Sequence, residues 1–234
     1  MAFSPEKVIA VGGDGTIKLV AECLLRTNFL LGIIPVGSAN GLAKELGISS
    51  DVNKALDVIV KGNFKQIHAT SINQHLCVHL SDIGLNAYAV KKFETQQGRG
   101  LWGYLIASLK ALWQSKTMKV SMQINKKNIK LKAEIIVIAN ATMYGSGALI
   151  NPIGKLDDMF FEIIVVKKIS LAEVFKMMVT HAEYDSKKTQ TFQTNSLTIS
   201  SMKKVHFQVD GEYLGRVNHI TANLIPQALH VIIP

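Results

Sequence analysis

Val8-Ile9-Ala10-Val11 runs straight into Gly12-Gly13-Asp14-Gly15-Thr16, and Ile17-Lys18-Leu19-Val20-Ala21-Glu22 follows at once. An apolar, β-rich run ending in glycines and continuing into helix formers reads as strand, tight loop and helix. Glycines let the backbone approach a ligand with no Cβ in between. The amides of such a loop, and of the helix start behind it, face a bound anion, most often a phosphate. A bare carboxylate repels phosphate, so Asp14 makes sense there if a divalent cation sits between them, or if it takes a proton from a hydroxyl. A plain β-turn with Asp as turn former would use the same residues.

The pattern then repeats. Phe29-Leu30-Leu31-Gly32-Ile33-Ile34-Pro35 reads as a second buried strand, ending in Val36-Gly37-Ser38-Ala39-Asn40-Gly41 and feeding a helix over 42–46. Two strand–glycine loop–helix units in succession predict an open parallel α/β sheet with its ligand crevice at the carboxyl ends of the strands. Asp51 is placed to cap a helix over 52–60, closed by Gly62. From Phe64 the character changes to short strands, expected at 65–71, 76–81, 118–124, 131–138, 160–166, 196–200, 205–209 and 229–233. Asn73-Gln74 and Asn125-Lys126-Lys127-Asn128 read as hairpin turns. Within this run, 100–113 has helical spacing, with Trp102, Tyr104 and Trp113 expected in the core. The expected division is an α/β nucleotide-binding lobe over residues 1–63 and a mainly antiparallel sandwich or barrel over 64–234.

Composition narrows the classes. With 48% apolar and 18% charged residues in 234 the chain is globular, and its mean hydropathy is +0.21. No apolar stretch is long enough to cross a bilayer, and the opening residues lack the pattern of a signal peptide. The two cysteines, Cys23 and Cys77, read as buried reduced thiols, which fits a cytoplasmic setting. A net charge of +9 favours anionic partners. Lys116, Lys119, Lys126, Lys127, Lys130 and Lys132 cluster on a predicted hairpin, either as a solvated strand face or as a patch facing an anionic membrane, where each is worth about 1 kcal/mol. Nucleic acid is not expected as a partner. His75 and His79 fall four apart on a predicted strand, about 13 Å from one another, too far to share a metal ion.

The ordered set of motifs resembles the diacylglycerol kinase catalytic family, which includes bacterial lipid kinases and sphingosine and ceramide kinases. The matching pieces are Gly12-Gly13-Asp14-Gly15-Thr16, Ile34-Pro35-Val36-Gly37-Ser38-Ala39-Asn40-Gly41-Leu42-Ala43 and Asp82-Ile83-Gly84-Leu85-Asn86-Ala87. Then come Ala139-Asn140, Tyr144-Gly145-Ser146-Gly147, Pro152 before Lys155-Leu156-Asp157-Asp158, and Val209-Asp210-Gly211-Glu212. The resemblance implies transfer of the γ-phosphoryl group of ATP to a lipid hydroxyl, in a cleft between an α/β lobe and a β-sandwich lobe. It implies ATP contacts from Gly12, Gly13, Asp14, Gly15, Thr16, Gly37, Ser38, Asn40 and Glu212, and Asp14 holding magnesium or acting on the hydroxyl. Asp210 is the implied general base, although Asp-Gly is also an ordinary hairpin turn. Asp157 and Asp158 resemble a structural magnesium site.

Several positions depart from the family pattern. Lys18 and Leu19 stand for the usual Asn-Glu, Gly41 for an Asp, and Met159 for a glycine. The α/β segment that precedes the first glycine motif in family members has no counterpart here, which leads us to expect an open strand edge, self-association as a homodimer, and weak kinase activity. Two alternatives stay open at this point: an NAD kinase, and a non-catalytic lipid-sensing module on the same fold. The expected setting is cytoplasmic and peripheral at the membrane that holds the lipid substrate.

Overall fold

In the computed structural model, which describes residues 5–94, 117–144, 149–170, 173, 185 and 187–234, the opening stretch is strand β1 (Lys7–Gly12) leading into helix α1 (Asp14–Leu24). β2 (Leu30–Pro35) lies parallel to β1, with Lys7 opposite Leu30 and Gly12 opposite Pro35. Both strands therefore end at the same sheet edge, and their glycine loops emerge side by side. α2 (Gly41–Glu45) and α3 (Val52–Lys61) follow. Asp51 caps α3 by accepting from the Lys54 N–H at 2.9 Å, and the Gly62 N–H closes it on the Val58 carbonyl at 2.7 Å.

The remaining elements are β3 (Asn63–Ile72), β4 (His75–Cys77), β5 (Leu80–Gly84), α4 (Leu85–Glu94), β6 (Met118–Ile124), β7 (Lys127–Ala133), β8 (Ile135–Ala139), β9 (Phe161–Val166), β10 (Thr189–Thr194), β11 (Ser196–Val209) and β12 (Glu212–Ile233). The twelve described strands form one mixed sheet in the order β1-β2-β12-β11-β5-β8-β9-β10, with β3-β4 branching from β12 and β6-β7 from β11. Pairing is parallel among β1, β2 and β12 and antiparallel elsewhere. The two expected hairpin turns are present: Asn73 and Gln74 have φ of +48° and +71°, and Asn125 and Lys126 have +50° and +65°. That left-handed pair is what a two-residue loop needs to match strand twist.

The runs expected at 196–200 and 205–209 are one strand. β11 pairs with β6 as far as Ser201 and with β5 from Phe207, and its register with β12 shifts between Ser200 and Val205. An irregularity of this kind bends the strand, which changes partner from β6 to β5 across it. Conversely, the runs expected at 76–81 and 131–138 each contain a break, after Cys77 and at Glu134. The helix expected over 100–113, Lys116, and the Gly145-Ser146-Gly147 motif lie outside the described residues.

Two of the apolar clusters are large cores. The sandwich core joins Met118, Met122 and Ile124 to Ile136, Phe161, Ile163, Phe207 and Ile220. The α/β core holds Ile17, Leu31, Ile33 and Ile59, but also Ile67 and Ala69 of β3 and Leu229, Val231 and Ile232 of β12. The boundary expected at residue 63 therefore does not separate the cores, because the long final strand returns to pair with β2 at His230–Leu30 and Val231–Leu31. Among the described residues β1 pairs only with β2, and Ile9 and Val11 on it are exposed. Lys119, Lys126, Lys127, Lys130 and Lys132 are exposed on the β6–β7 hairpin, with Lys119 directly opposite Lys132. Cys77 is buried as expected; Cys23 is exposed on α1, contrary to expectation, and neither is in a disulfide.

Candidate active site

The two glycine loops touch backbone to backbone. A Cβ built on Gly37 would lie 2.4 Å from the Gly13 Cα, and one on Gly12 would lie 2.4 Å from the Thr16 Oγ1. No side chain fits at either position, so the close approach is the reason for glycine here. Gly15 is different: a Cβ there would meet nothing within 4 Å. Asn40 sets the second loop. Its φ is +53°, its Oδ1 accepts from the Gly37 N–H at 3.0 Å, and its Nδ2 donates to the Gly37 carbonyl at 2.8 Å. Asn tolerates the left-handed region and closes such loops through its own side chain. Thr16 and Ser38 are exposed at the loop rims.

Asp14 opens α1 and is half-buried between the loops, its Oδ1 accepting a long bond of 3.4 Å from the Leu42 N–H. One turn later Lys18 lies on the same face of α1. Its stem is buried, and its Nζ reaches Glu212 Oε2 at 3.3 Å, while the Glu212 side chain remains 63% exposed. This ion pair carries the β11–β12 turn over the first turn of α1. Asp14, Lys18 and Glu212 thus converge at the carboxyl ends of β1 and β2.

Asp210 sits in that turn with φ of +51°, beside Gly211 at +85°, a two-residue hairpin between Val209 and Glu212. Its carboxylate turns inward. Oδ1 accepts from the His79 N–H at 3.0 Å, the Leu80 N–H at 3.2 Å and the Cys77 thiol at 3.4 Å, and Oδ2 accepts from the Val78 N–H at 3.1 Å. Burial pushes the Asp210 carboxyl above the usual range, opposed by the Val78 amide and the charge of Lys18. The same burial, with the Asp210 charge beside it, pushes the Cys77 thiol up. Asp210 is an anchor: it ties the β11–β12 turn to the β4–β5 link, with its lone pairs committed to those donors.

Sequence reading passed over His79 as a site residue. Its ring lies against Gly41, where a Cβ would come within 2.8 Å of the imidazole Cε1. Burial lowers its pKa against the opposing pull of Asp210, Asp14 and Glu45. Glu45 in turn holds the segment after β8, accepting from the Thr142 N–H at 3.0 Å and its hydroxyl at 2.8 Å. The expected strand over 76–81 says nothing of a neighbour on α2.

Asp157 and Asp158 lie elsewhere. Asp157 pairs with Lys65 at 3.0 Å, which holds its carboxyl below the usual range, and Asp158 accepts from the Phe160 N–H at 3.1 Å. Among the described residues no group of three or more His, Cys, Asp or Glu is gathered as a metal centre. The two acids engage a lysine and a turn amide.

On the far side of β5 lies a cavity of about 700 Å³. Leu85, Tyr88, Met118 and Val205 give it an apolar lining, and Lys119, Lys203, Lys204 and Arg216 add basic groups. No described helix is long and apolar enough to cross a membrane.

Residues 2–72 match the family model of the diacylglycerol kinase catalytic domain, and residues 81–233 match that of the YegS C-terminal NAD kinase β-sandwich-like domain. A diacylglycerol kinase of Bacillus subtilis is 26% identical over 237 residues, covering 97% of this chain and 77% of that protein. One from Staphylococcus saprophyticus is 26% identical over 219 residues, covering 90% of this chain and 71% of that protein. The crystal structure of a diacylglycerol kinase from Bacillus anthracis superposes with a TM-score of 0.71 at 20% identity, over 98% of this chain and 76% of that one. An Archaeoglobus fulgidus NAD kinase in complex with ATP superposes at 0.58 and 12% identity, over 97% and 77%. These superpositions establish the expected fold, an α/β lobe joined to a β-sandwich.

Proposed function

Since the chain belongs to the diacylglycerol kinase catalytic family, we propose that it transfers the γ-phosphoryl group of ATP to the hydroxyl of a diacylglycerol- or sphingosine-like lipid. The observation that carries this reading is the pair of glycine loops in backbone contact, Gly13 against Gly37, with Asp14 between them and Glu212 held above by Lys18. Phosphoryl transfer asks mainly for positioning and charge neutralisation, plus an acceptor for the hydroxyl proton. The loop amides and the start of α1 cradle the phosphates. Lys18 adds a positive charge at the same end.

Magnesium fits this site through Asp14, whose carboxylate is half-buried beside the loops and makes only a long contact to the Leu42 amide. When bound it would neutralise phosphate charge. Asp210 was the expected base, but three amides and a thiol occupy its carboxylate. Glu212, two residues on and exposed, takes that place: it accepts the proton of the lipid hydroxyl as the oxygen attacks. The cavity beyond β5, apolar inside with basic groups at hand, suits an amphipathic acceptor better than a dinucleotide.

Incubation with γ-labelled ATP, magnesium, and either a lipid panel in mixed micelles or NAD tests the reading. Label on a lipid and none on NAD is the expected result. Label on NAD alone would make the chain an NAD kinase, and ATP binding without transfer to either acceptor would make it a non-catalytic module.

A further inference from the structure

Asp82 is the buried acid that the reaction above does not use. It lies on β5 directly opposite Gln208 of β11 and is completely buried. Three side chains from three different elements converge on its Oδ2. Gln208 donates through Nε2 at 2.6 Å, Asn86 of α4 through Nδ2 at 2.5 Å, and the Tyr144 hydroxyl, from the segment after β8, at 3.4 Å. Gln208 then passes the connection on: its Oε1 accepts from the Gly211 N–H at 2.7 Å. The Ser81 hydroxyl adds a bond of 2.6 Å to the Gln208 carbonyl. A buried network of this kind fixes geometry when every member is satisfied and loosens when one is not. The Asp82 Oδ1 is buried without a partner among the described residues.

We propose that Asp82 is a positioning residue: through Gln208 it sets the Gly211–Glu212 turn, and through Asn86 it locks the first turn of α4, the helix that lines the acceptor cavity. The reactive turn and the cavity wall would thereby be held by one carboxylate. As an ion, Asp82 accepts from all three donors. Once protonated on Oδ1, it keeps Oδ2 only as a neutral carbonyl acceptor, and the charge-assisted bonds from Gln208 and Asn86 become ordinary, weaker ones. The Gly211 bond would then weaken, and Glu212 would lose its register over α1.

Burial raises the Asp82 carboxyl to about 6, against the opposing bonds from Asn86, Gln208 and Tyr144. The groups facing it are those three, from α4, β11 and the post-β8 segment, together with the Ala87 amide of α4, and none of them bears a charge. The switch therefore falls just below neutral pH, with the locked state above it.

The amide shift of Gly211 in ¹⁵N-labelled protein, followed from pH 5 to 8, reads this linkage directly. An inflection near 6 is expected in the native chain and its absence in Asp82→Asn. Asn86→Ala removes a donor to the ionised form, so its inflection should move to higher pH. A flat native profile, or the same inflection in all three proteins, would overturn the proposal. Since Glu212 enters the role of Asp82 through the kinase reading, a second arm measures lipid kinase turnover: its acid limb should coincide with the Gly211 inflection and follow it in Asn86→Ala. The amide readout needs no activity, so failure of the kinase reading would leave that arm silent and the linkage still measured.

Discussion

Replacing Asp210 distinguishes an anchor from a base. Asp210→Ala leaves the Val78, His79 and Leu80 amides, now bonded at 3.1, 3.0 and 3.2 Å, without their acceptor. An orphaned buried donor costs about 1–3 kcal/mol. Three of them, less the relief of no longer burying a charge, give a loss of about 3–6 kcal/mol. At about 2–4 °C per kcal/mol for a chain of this size, the melting temperature should fall by about 6–24 °C. Asp210→Asn keeps one oxygen and sets an NH₂ group against at least one amide, so a fall of about 4–8 °C is expected. The sign of the pH dependence follows from the raised carboxyl. A group raised on folding contributes its full stability below the ordinary value of about 4 and loses it as pH climbs through the native value. The gap between native and Asp210→Asn proteins should accordingly be wider at pH 5 than at pH 8. Thermal melts by circular dichroism at both pH values decide the matter. If Asp210→Ala melts with the native protein while kcat alone collapses, the anchor reading is wrong and Asp210 is the base.

Glu212→Gln should lower kcat by about 10²–10⁴-fold while leaving the melting temperature and the ATP Kd close to native, since its side chain is mostly exposed. In Gly37→Ala the new methyl meets the Gly13 Cα at 2.4 Å and must push the loops apart, so turnover should drop by about 10²-fold; Gly15→Ala, with no protein atom near the new methyl, should leave the melting temperature at the native value. Iodoacetamide at pH 8 should modify one thiol per native chain, read by mass spectrometry. Cys23 is exposed, whereas Cys77 is buried with its thiol raised beside Asp210; two modified thiols would contradict the Asp210 contact.

The α/β units were legible because their information is local. Val8 to Thr16 and Phe29 to Gly41 each contain strand, glycine loop and helix start in sequence, and Asp51 with Gly62 marks both ends of α3. Hairpin turns at Asn73 and Asn125 were legible for the same reason. Less visible were features whose partner lies far along the chain. Nothing around Ser200 tells that β11 continues through a bend, since the continuity depends on β6 above it and β5 below. The Asp-Gly at 210–211 reads both as a turn and as a catalytic pair; the turn is present, and the bonds of its Asp to the amides of residues 78–80 depend on a partner far along the chain. His79 was dismissed on metal-ligand spacing alone, because its neighbour is Gly41, distant in sequence.

The final strand shows why the chain does not divide where its composition changes. β12 begins at Glu212, beside the Asp210-Gly211 turn, and pairs with β11 as far as Asn223 opposite Ser196. It then passes an irregularity between Ile225 and Leu229, where Pro226 precedes Gln227 with φ of +48°. Proline is tolerated in a strand at such a break. Beyond the break Leu229, Val231 and Ile232 enter the α/β core, and His230 pairs with Leu30 beside the strand whose far end carries Gly37. One strand therefore joins the turn that presents Glu212 to the sheet that presents both glycine loops. The Lys18–Glu212 pair and the Asp210 anchor close the same connection from the other end. With the two halves held by one backbone and two side-chain clamps, the distance from glycine loops to Glu212 is set by the fold, which is what the proposed transfer would require.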